Sequence, residues 1–303
     1  MTAFESDEYQ KIVDKAQLAV EQQEIGRALE LLNQAYEMQQ TPTLNHLLTQ
    51  ILLSDGQNQL AHTLADEFID SYTEKKVLAE QYVEIALKNH HYLIAREFAL
   101  ATKWQLALCE KINQQEQADR ELYAQTLQTT AKHFYHLSDG DLIQQQTRLT
   151  AAEHLPLADY VTGARFVLVD PFLTPITRVT VLDRLRRLQV DQEVKMLWFD
   201  GSELIVVPKS LLAIEEMPIY QQLMAILDTN DMQVDGATLA AIKAGLRLNM
   251  LVAYPQLNQV VQSPTDWIKA MLAEAKGETL SNESTAQRQI RQKLHQIILE
   301  LMP

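Results

Sequence analysis

The chain has 303 residues, 47% hydrophobic and 22% charged, a balance that supports a sizeable core and excludes a disordered chain. Its 26 Lys and Arg against 40 Asp and Glu give a net charge of −14, which disfavours nucleic acid or an anionic membrane as a partner. A single cysteine, Cys109, excludes an intrachain disulfide and a thiolate-rich zinc site, and only 8 Gly and 9 Pro favour long helices over turn-rich folds.

The opening segment, MTAFESDEYQK, is acidic and lacks the basic-then-apolar pattern of a secretory signal. No apolar run approaches the roughly 20 residues of a membrane helix. The longest, such as Phe166–Val169 and Leu204–Val207, are strand-sized. The expectation is a soluble cytoplasmic protein.

The first hundred residues follow a helical period. Ile12, Ala16 and Ala19 share one face, and Ala28, Leu31, Leu32 and Ala35 share the next. Leucine recurs through Thr43–Leu53, which Asp55-Gly56 closes; Leu60, Leu64 and Phe68 then align, followed by Leu78, Tyr82, Ile85 and Ala86. A longer period lies beneath. Ala28, Ala61 and Ala95 stand 33 and 34 residues apart, each followed four residues on by Leu32, Ala65 or Ala99 and seven on by Ala35, Phe68 or Thr102. Five residues before them stand Gln23, Gly56 and His90. Such a spacing suits a helix–turn–helix repeat whose small residues let two helices approach closely.

The segments GRALELLNQA (26–35), QLAHTLADEF (59–68) and LIAREFALAT (93–102) resemble second helices of the tetratricopeptide repeat family, over about the first third of the chain. Three departures stand out. No tryptophan opens the first helices, Asn45 occupies a position that is usually apolar, and the repeat-ending proline is absent or displaced to Pro42. The resemblance implies an α–α superhelix of about three hairpins, with the first helix of each pair lining a concave groove. Repeat spacing then places Val13, Gln17 and Glu21, His46 and Gln50, and Glu80, Glu84 and Lys88 on that groove. Family members that hold a chaperone tail clamp its terminal carboxylate with lysines and asparagines. Here the matching positions carry Val13, Gln17, His46, Gln50, Glu80 and Glu84, so the clamp is missing and a neutral or basic segment is the expected ligand.

Residues 104–150 stay helical but lose the period, with amphipathic stretches at Trp104–Ile112 and Glu121–Leu137 and a stop at Ser138-Asp139-Gly140. Beyond Leu155-Pro156 the character changes. Asp170-Pro171 and Thr174-Pro175 punctuate the chain, and Ile176–Leu188 reads as an arginine-rich helix. Val194–Phe199, Asp200-Gly201 and Glu203–Val207 form a β-hairpin that Pro208 ends. The segment VLVDPFLTPITRVTVLDRLRRL, followed by VKMLWFDGSELIVVPKSL, resembles part of uncharacterised repeat proteins of Gram-positive bacteria. That likeness implies a second domain on a repeat array, and no particular chemistry. The remainder reads as helices at Ile219–Leu227, Gly236–Tyr254, Ser263–Lys276 and Ser284–Leu301, with Ser263 and Ser284 as N-caps and GETLSNES (277–284) as a linker. Ile290, Leu294, Ile297, Ile298 and Leu301 form an apolar stripe on the last helix, expected to dock within its own chain.

Chemistry-bearing clusters are sparse. His133 and His136, with Asp139 and Asp141, offer metal-ligating atoms, but no motif supplies a third fixed ligand. Asp170, Asp183, Asp200, Glu215 and Glu216 include no pair that the sequence brings together. Cys109 sits among Leu106, Ala107, Leu108 and Ile112 as a small hydrophobe would. Arg178, Arg184 and Arg187 form a basic cluster able to take an anion, with Arg186 projecting elsewhere. No P-loop, dinucleotide fingerprint, nucleophile elbow or zincin motif occurs.

The expected molecule is mostly α. A tetratricopeptide-like array occupies 1–150, and a helical domain with one β-hairpin at about 194–207 and a C-terminal amphipathic helix occupies 151–303. The expected function is a non-enzymatic scaffold, monomer or weak dimer, that binds a protein or peptide without a cofactor or metal. The alternatives are an enzyme of unknown class with its site in 151–303, or phosphate or nucleic-acid binding through the arginine-rich helix.

Overall fold

The computed structural model describes residues 3–229, 234–278 and 283–301. Among them are sixteen α-helices and one antiparallel two-stranded sheet, so the chain is mostly helical. No helix is long and apolar enough to cross a membrane. The chain divides into two compact units, Met1–Ala131 with Gln146–Tyr160, and Lys132–Gln145 with Val161–Pro303.

The first unit begins with three helical hairpins: α1 (Ala3–Glu21) on α2 (Ile25–Met38), α3 (Pro42–Ser54) on α4 (Asn58–Asp66), and α5 (Lys76–Lys88) on α6 (Tyr92–Leu100). The same turn closes all three. Gln23, Gly56 and His90 adopt left-handed φ of 59°, 79° and 56°. In each turn two backbone bonds cap the helix, Gln23 N–H to Val20 O and Glu24 N–H to Ala19 O in the first, and Gly56 to Leu53 and Gln57 to Leu52 in the second. His90 to Leu87 and His91 to Ala86 repeat them in the third. This paired capping satisfies carbonyls that a helix end leaves orphaned. Ala28, Ala61 and Ala95 are fully buried just beyond, as are Leu32, Ala65 and Ala99 one turn later. A side chain this small lets the paired helices close on one another.

Asn45 is also fully buried, and its amide explains why a polar residue stands there. It donates to the Tyr36 hydroxyl at 3.1 Å and to the Leu64 carbonyl at 2.7 Å, and it accepts from Tyr72 at 2.9 Å. Asn45 is thus the centre of a polar knot joining α2, α3, α4 and the 3₁₀ turn Ile69–Thr73. On α4 the expected stripe holds in part: Leu64 and, beyond the helix end, Phe68 pack half-buried against the core, whereas Leu60 is 43% exposed and Ala61, His62 and Ala65 are buried.

The next helices are α7 (Gln105–Leu122), α8 (Ala124–Tyr135), α9 (Leu142–Ala152) and α10 (Leu157–Val169). Helix α7 is continuous across residues 113–120, in keeping with the helical reading of 104–150, and ends at Leu122, inside the amphipathic stretch expected at Glu121–Leu137. Phe166–Val169, strand-sized as a run, is the last turn of α10.

In the second unit the Thr174 hydroxyl accepts from Thr177 N–H and Pro175 opens α11 (Pro175–Arg187), the combination that starts a helix cleanly. The hairpin pairs β1 (Val194–Leu197) with β2 (Glu203–Val206) in the register Val194 with Val206 through Leu197 with Glu203. Val194, Met196 and Val206 are buried, which supplies the apolar support that a lone hairpin needs. Trp198 lies past the strand end, where alternation no longer sets side-chain direction. Its ring meets Phe199 edge-on at 4.5 Å, and its Nε1 donates to the Ala253 carbonyl at 3.0 Å.

Helices α12 (Pro218–Leu227), α13 (Gly236–Ala253), α14 (Leu257–Val260), α15 (Pro264–Ala275) and α16 (Thr285–Leu301) complete the unit. Ser263 and Ser284 cap α15 and α16 through Asp266 N–H and Gln287 N–H. Residues 279–282 of the linker-like segment and the Leu301 side chain lie outside the described residues. Helix α16 docks against α13 with Leu294 and Ile298 buried. Arg291 on α16 forms a bidentate pair with Glu274 at 2.7 and 2.8 Å and donates to Glu283 at 2.7 and 3.1 Å.

Candidate functional site

The first unit holds an open cavity of about 810 Å³ whose walls come mainly from α1, α3 and α5. Positions four and seven apart on a helix share a face. Accordingly Tyr9, Val13 and Gln17 line it from α1, His46 and Gln50 from α3, and Val77, Gln81 and Glu84 from α5. Of the residues that repeat spacing placed on a groove, Val13, Gln17, His46, Gln50 and Glu84 are gathered here. Glu21, Glu80 and Lys88 are not on its wall; Glu80 pairs instead with Lys76 at 3.5 Å.

On α5 the groove face is rotated by one residue, to Gln81 in place of Glu80. Gln81 donates to the His46 carbonyl at 2.8 Å and to the Thr49 hydroxyl at 3.0 Å, and these bonds turn that face toward α3. The signal available in sequence was Val77, Gln81 and Glu84 at helical spacing. It was obscured because Glu80, Glu84 and Lys88 fit the same period.

The chemistry of the wall is neutral with one exception. Glu84 is its one carboxylate among the described residues, 3.4 Å from Lys111. Burial holds the His46 imidazole below its ordinary pKa; Glu74 opposes this and Lys75 adds to it, so the ring is neutral at pH 7. The amides of Gln17 and Gln50 make no side-chain hydrogen bond among the described residues, and each offers a donor and an acceptor to a ligand.

His46 Nε2 lies 2.7 Å from Ser71 Oγ, a distance at which a base could activate a hydroxyl. The Ser71 hydroxyl, however, donates to the Phe68 carbonyl at 2.6 Å. It therefore receives the imidazole N–H, the reverse of the arrangement that a nucleophile needs.

The chain matches no protein-family model, no curated protein and no solved structure.

The anion cluster drawn from sequence is reorganised. Arg178 is only 4% exposed, and its Nη1 donates to the carbonyls of Asp170 and Leu173 at 2.9 and 2.5 Å. It clasps the loop before α11 and presents nothing to solvent, since burying a guanidinium requires such partners. Arg187 borders a second cavity, of about 620 Å³, whereas Arg184 is not on its wall. Arg186, expected to project elsewhere, stands beside Arg187 there, and both donate Nε to Asp183, at 2.8 and 3.2 Å. His136 lies 3.7 Å from Asp139, but no group of three His, Cys, Asp or Glu among the described residues has the arrangement of a metal site. Cys109 is half-buried, and burial raises its thiol pKa although Arg96 opposes the shift.

Proposed function

We propose that the first unit is a tetratricopeptide-like interaction module whose groove holds an extended neutral or basic segment of another protein. The spacing of Ala28, Ala61 and Ala95, with the same left-handed closure before each, supports reading the hairpins as repeats of one unit. The observation that carries the function is the groove wall itself: three helices converge on one cavity lined by glutamines, apolar side chains and a single carboxylate. Amides bind peptide backbone without regard to sequence, and Glu84 selects against an acidic partner.

Fluorescence anisotropy with two labelled peptides of equal length, one basic and one an acidic chaperone-type tail, tests the reading at low salt. The basic peptide is expected to bind with a Kd on the order of 1–100 μM and to weaken at least roughly tenfold in a Gln17→Ala, Gln50→Ala double variant. Tight binding of the acidic peptide, abolished by a change at His46, would overturn the assignment.

A further inference from the structure

We propose that the cleft between α11 and α13 in the second unit is a binding site for an anionic amphiphile, with one carboxylate or phosphate head on an apolar body. Its volume, about 620 Å³, falls within the range of small-molecule sites. The apolar part of the wall is Val179, Ile214, Leu248 and Leu251 with the Tyr254 ring, a surface suited to an alkyl or aromatic body. The Tyr254 hydroxyl is committed to the Leu212 carbonyl at 2.9 Å, so its ring serves as floor.

The head is selected by Arg186. Asp183 sits one turn earlier on α11 and engages Arg186 only through Nε, at 2.8 Å. The two terminal nitrogens of Arg186 have no hydrogen-bond partner among the described residues, and the side chain is only 20% exposed. A half-buried guanidinium gripped from behind and open in front is preorganised for a bidentate acceptor, the geometry of a carboxylate or phosphate. The other side of the mouth carries Arg247, 3.4 Å from Glu215, with both side chains more than half exposed. So loose a surface pair can exchange partners at little cost.

The charge count restricts the ligand further. Among the described residues the lining contains Arg186, Arg187 and Arg247 against Asp183 and Glu215, more basic than acidic groups in a chain of net charge −14. The two carboxylates would repel a polyanion such as nucleic acid while leaving room for a single head. The site is independent of the peptide groove and stands or falls apart from it.

Isothermal titration of the full chain with octanoate, octyl phosphate, octanol and inorganic phosphate tests the proposal. At least one of the two anionic amphiphiles is expected to bind with a Kd below about 100 μM, and which of them does so identifies the head. Octanol and inorganic phosphate, each lacking one half of the pattern, should bind at least roughly tenfold more weakly. Arg186→Gln should weaken the amphiphile by about tenfold or more. Should that variant lose its fold by circular dichroism, Ala244→Phe, which fills the cavity from its wall, should abolish binding instead. The proposal is overturned if neither amphiphile binds at 1 mM added ligand, if octanol or inorganic phosphate binds as tightly, or if the folded variants bind unchanged.

Discussion

Three imidazoles stand in a row in the first unit, His62 to His91 and His91 to His154, with ring centroids 4.6 Å apart at each step. His62 Nε2 and His91 Nδ1 are buried without a hydrogen-bond partner. Burial pushes His91 from 6.5 down to about 4, helped by His62, His154 and His90, while Asp66, 3.7 Å from His62, pulls the other way on that ring. Between pH 6.5 and 4 His91 therefore holds more protons in the unfolded chain than in the folded one, so its contribution to stability is lost as pH falls through this window and is constant above it. Urea denaturation followed by circular dichroism should show a loss of about 1–3 kcal/mol from pH 7 to pH 4.5, reduced in His91→Gln. An unchanged pH profile in that variant would exclude His91 as the source. Asn45 makes a second residue-scale case. Asn45→Leu places an apolar side chain there but removes three buried hydrogen bonds, to Tyr36, Leu64 and Tyr72, so chemical denaturation should register a cost of about 1–3 kcal/mol rather than a gain.

At the scale of elements, the three hairpin turns impose one backbone conformation on three different residues. Gly56 reaches its φ of 79° without strain, whereas Gln23 and His90 carry a side chain into the left-handed region. Gln23→Gly is therefore expected to raise the stability of the first hairpin by about 0.5–1 kcal/mol, and Gly56→Ala to cost about 1 kcal/mol. A β-carbon at Gly56 meets nothing within 4 Å, so the cost would be purely conformational. Equal melting temperatures for Gly56→Ala and the parent chain would contradict this account. The C-terminal helix depends on a charge cluster as well as on its apolar stripe. Arg291 is buried against Glu283, whose carboxylate is almost wholly enclosed, and also holds Glu274. Although burial would raise it, the bonds from Arg291 hold Glu283 below its ordinary pKa and keep it charged. Arg291→Met leaves that charge without its chief partner and should cost about 3–5 kcal/mol in denaturant unfolding. A loss under about 1 kcal/mol would mean that α16 is held by Leu294 and Ile298 alone.

For the molecule as a whole, charge is distributed unevenly: residues 1–150 carry 12 basic and 22 acidic side chains, and residues 151–303 carry 14 and 18. The groove wall contributes a single carboxylate among the described residues, so under the proposed function attraction of a basic segment would come largely from the surrounding acidic field. Such a field is screened over about 8–10 Å near physiological salt. Raising salt from about 50 to 500 mM should accordingly weaken the basic peptide by roughly tenfold, chiefly through slower association. Stopped-flow binding at the two salt concentrations measures this directly, and an unchanged association rate would leave recognition to the amides alone.

Local sequence determined the parts of this protein that depend on a few neighbouring residues. The spacing of Ala28, Ala61 and Ala95 marked three helical hairpins, Thr174-Pro175, Ser263 and Ser284 marked helix starts, and Asp200-Gly201 between apolar runs marked the β-turn. Caps, turns and helical periodicity act within one or two turns of chain, so they can be read without knowing the rest. Tertiary structure decided which way each helix is rotated. It placed Gln81 rather than Glu80 on the groove, drew Arg178 inside, set Arg186 beside Arg187, and collected His62, His91 and His154 into one row. Successive residues on a helix differ by about 100° in direction, and several faces of these helices satisfy the same apolar period. Only the packing partner, through contacts such as Gln81 with Thr49 and Arg178 with Leu173, selects among them.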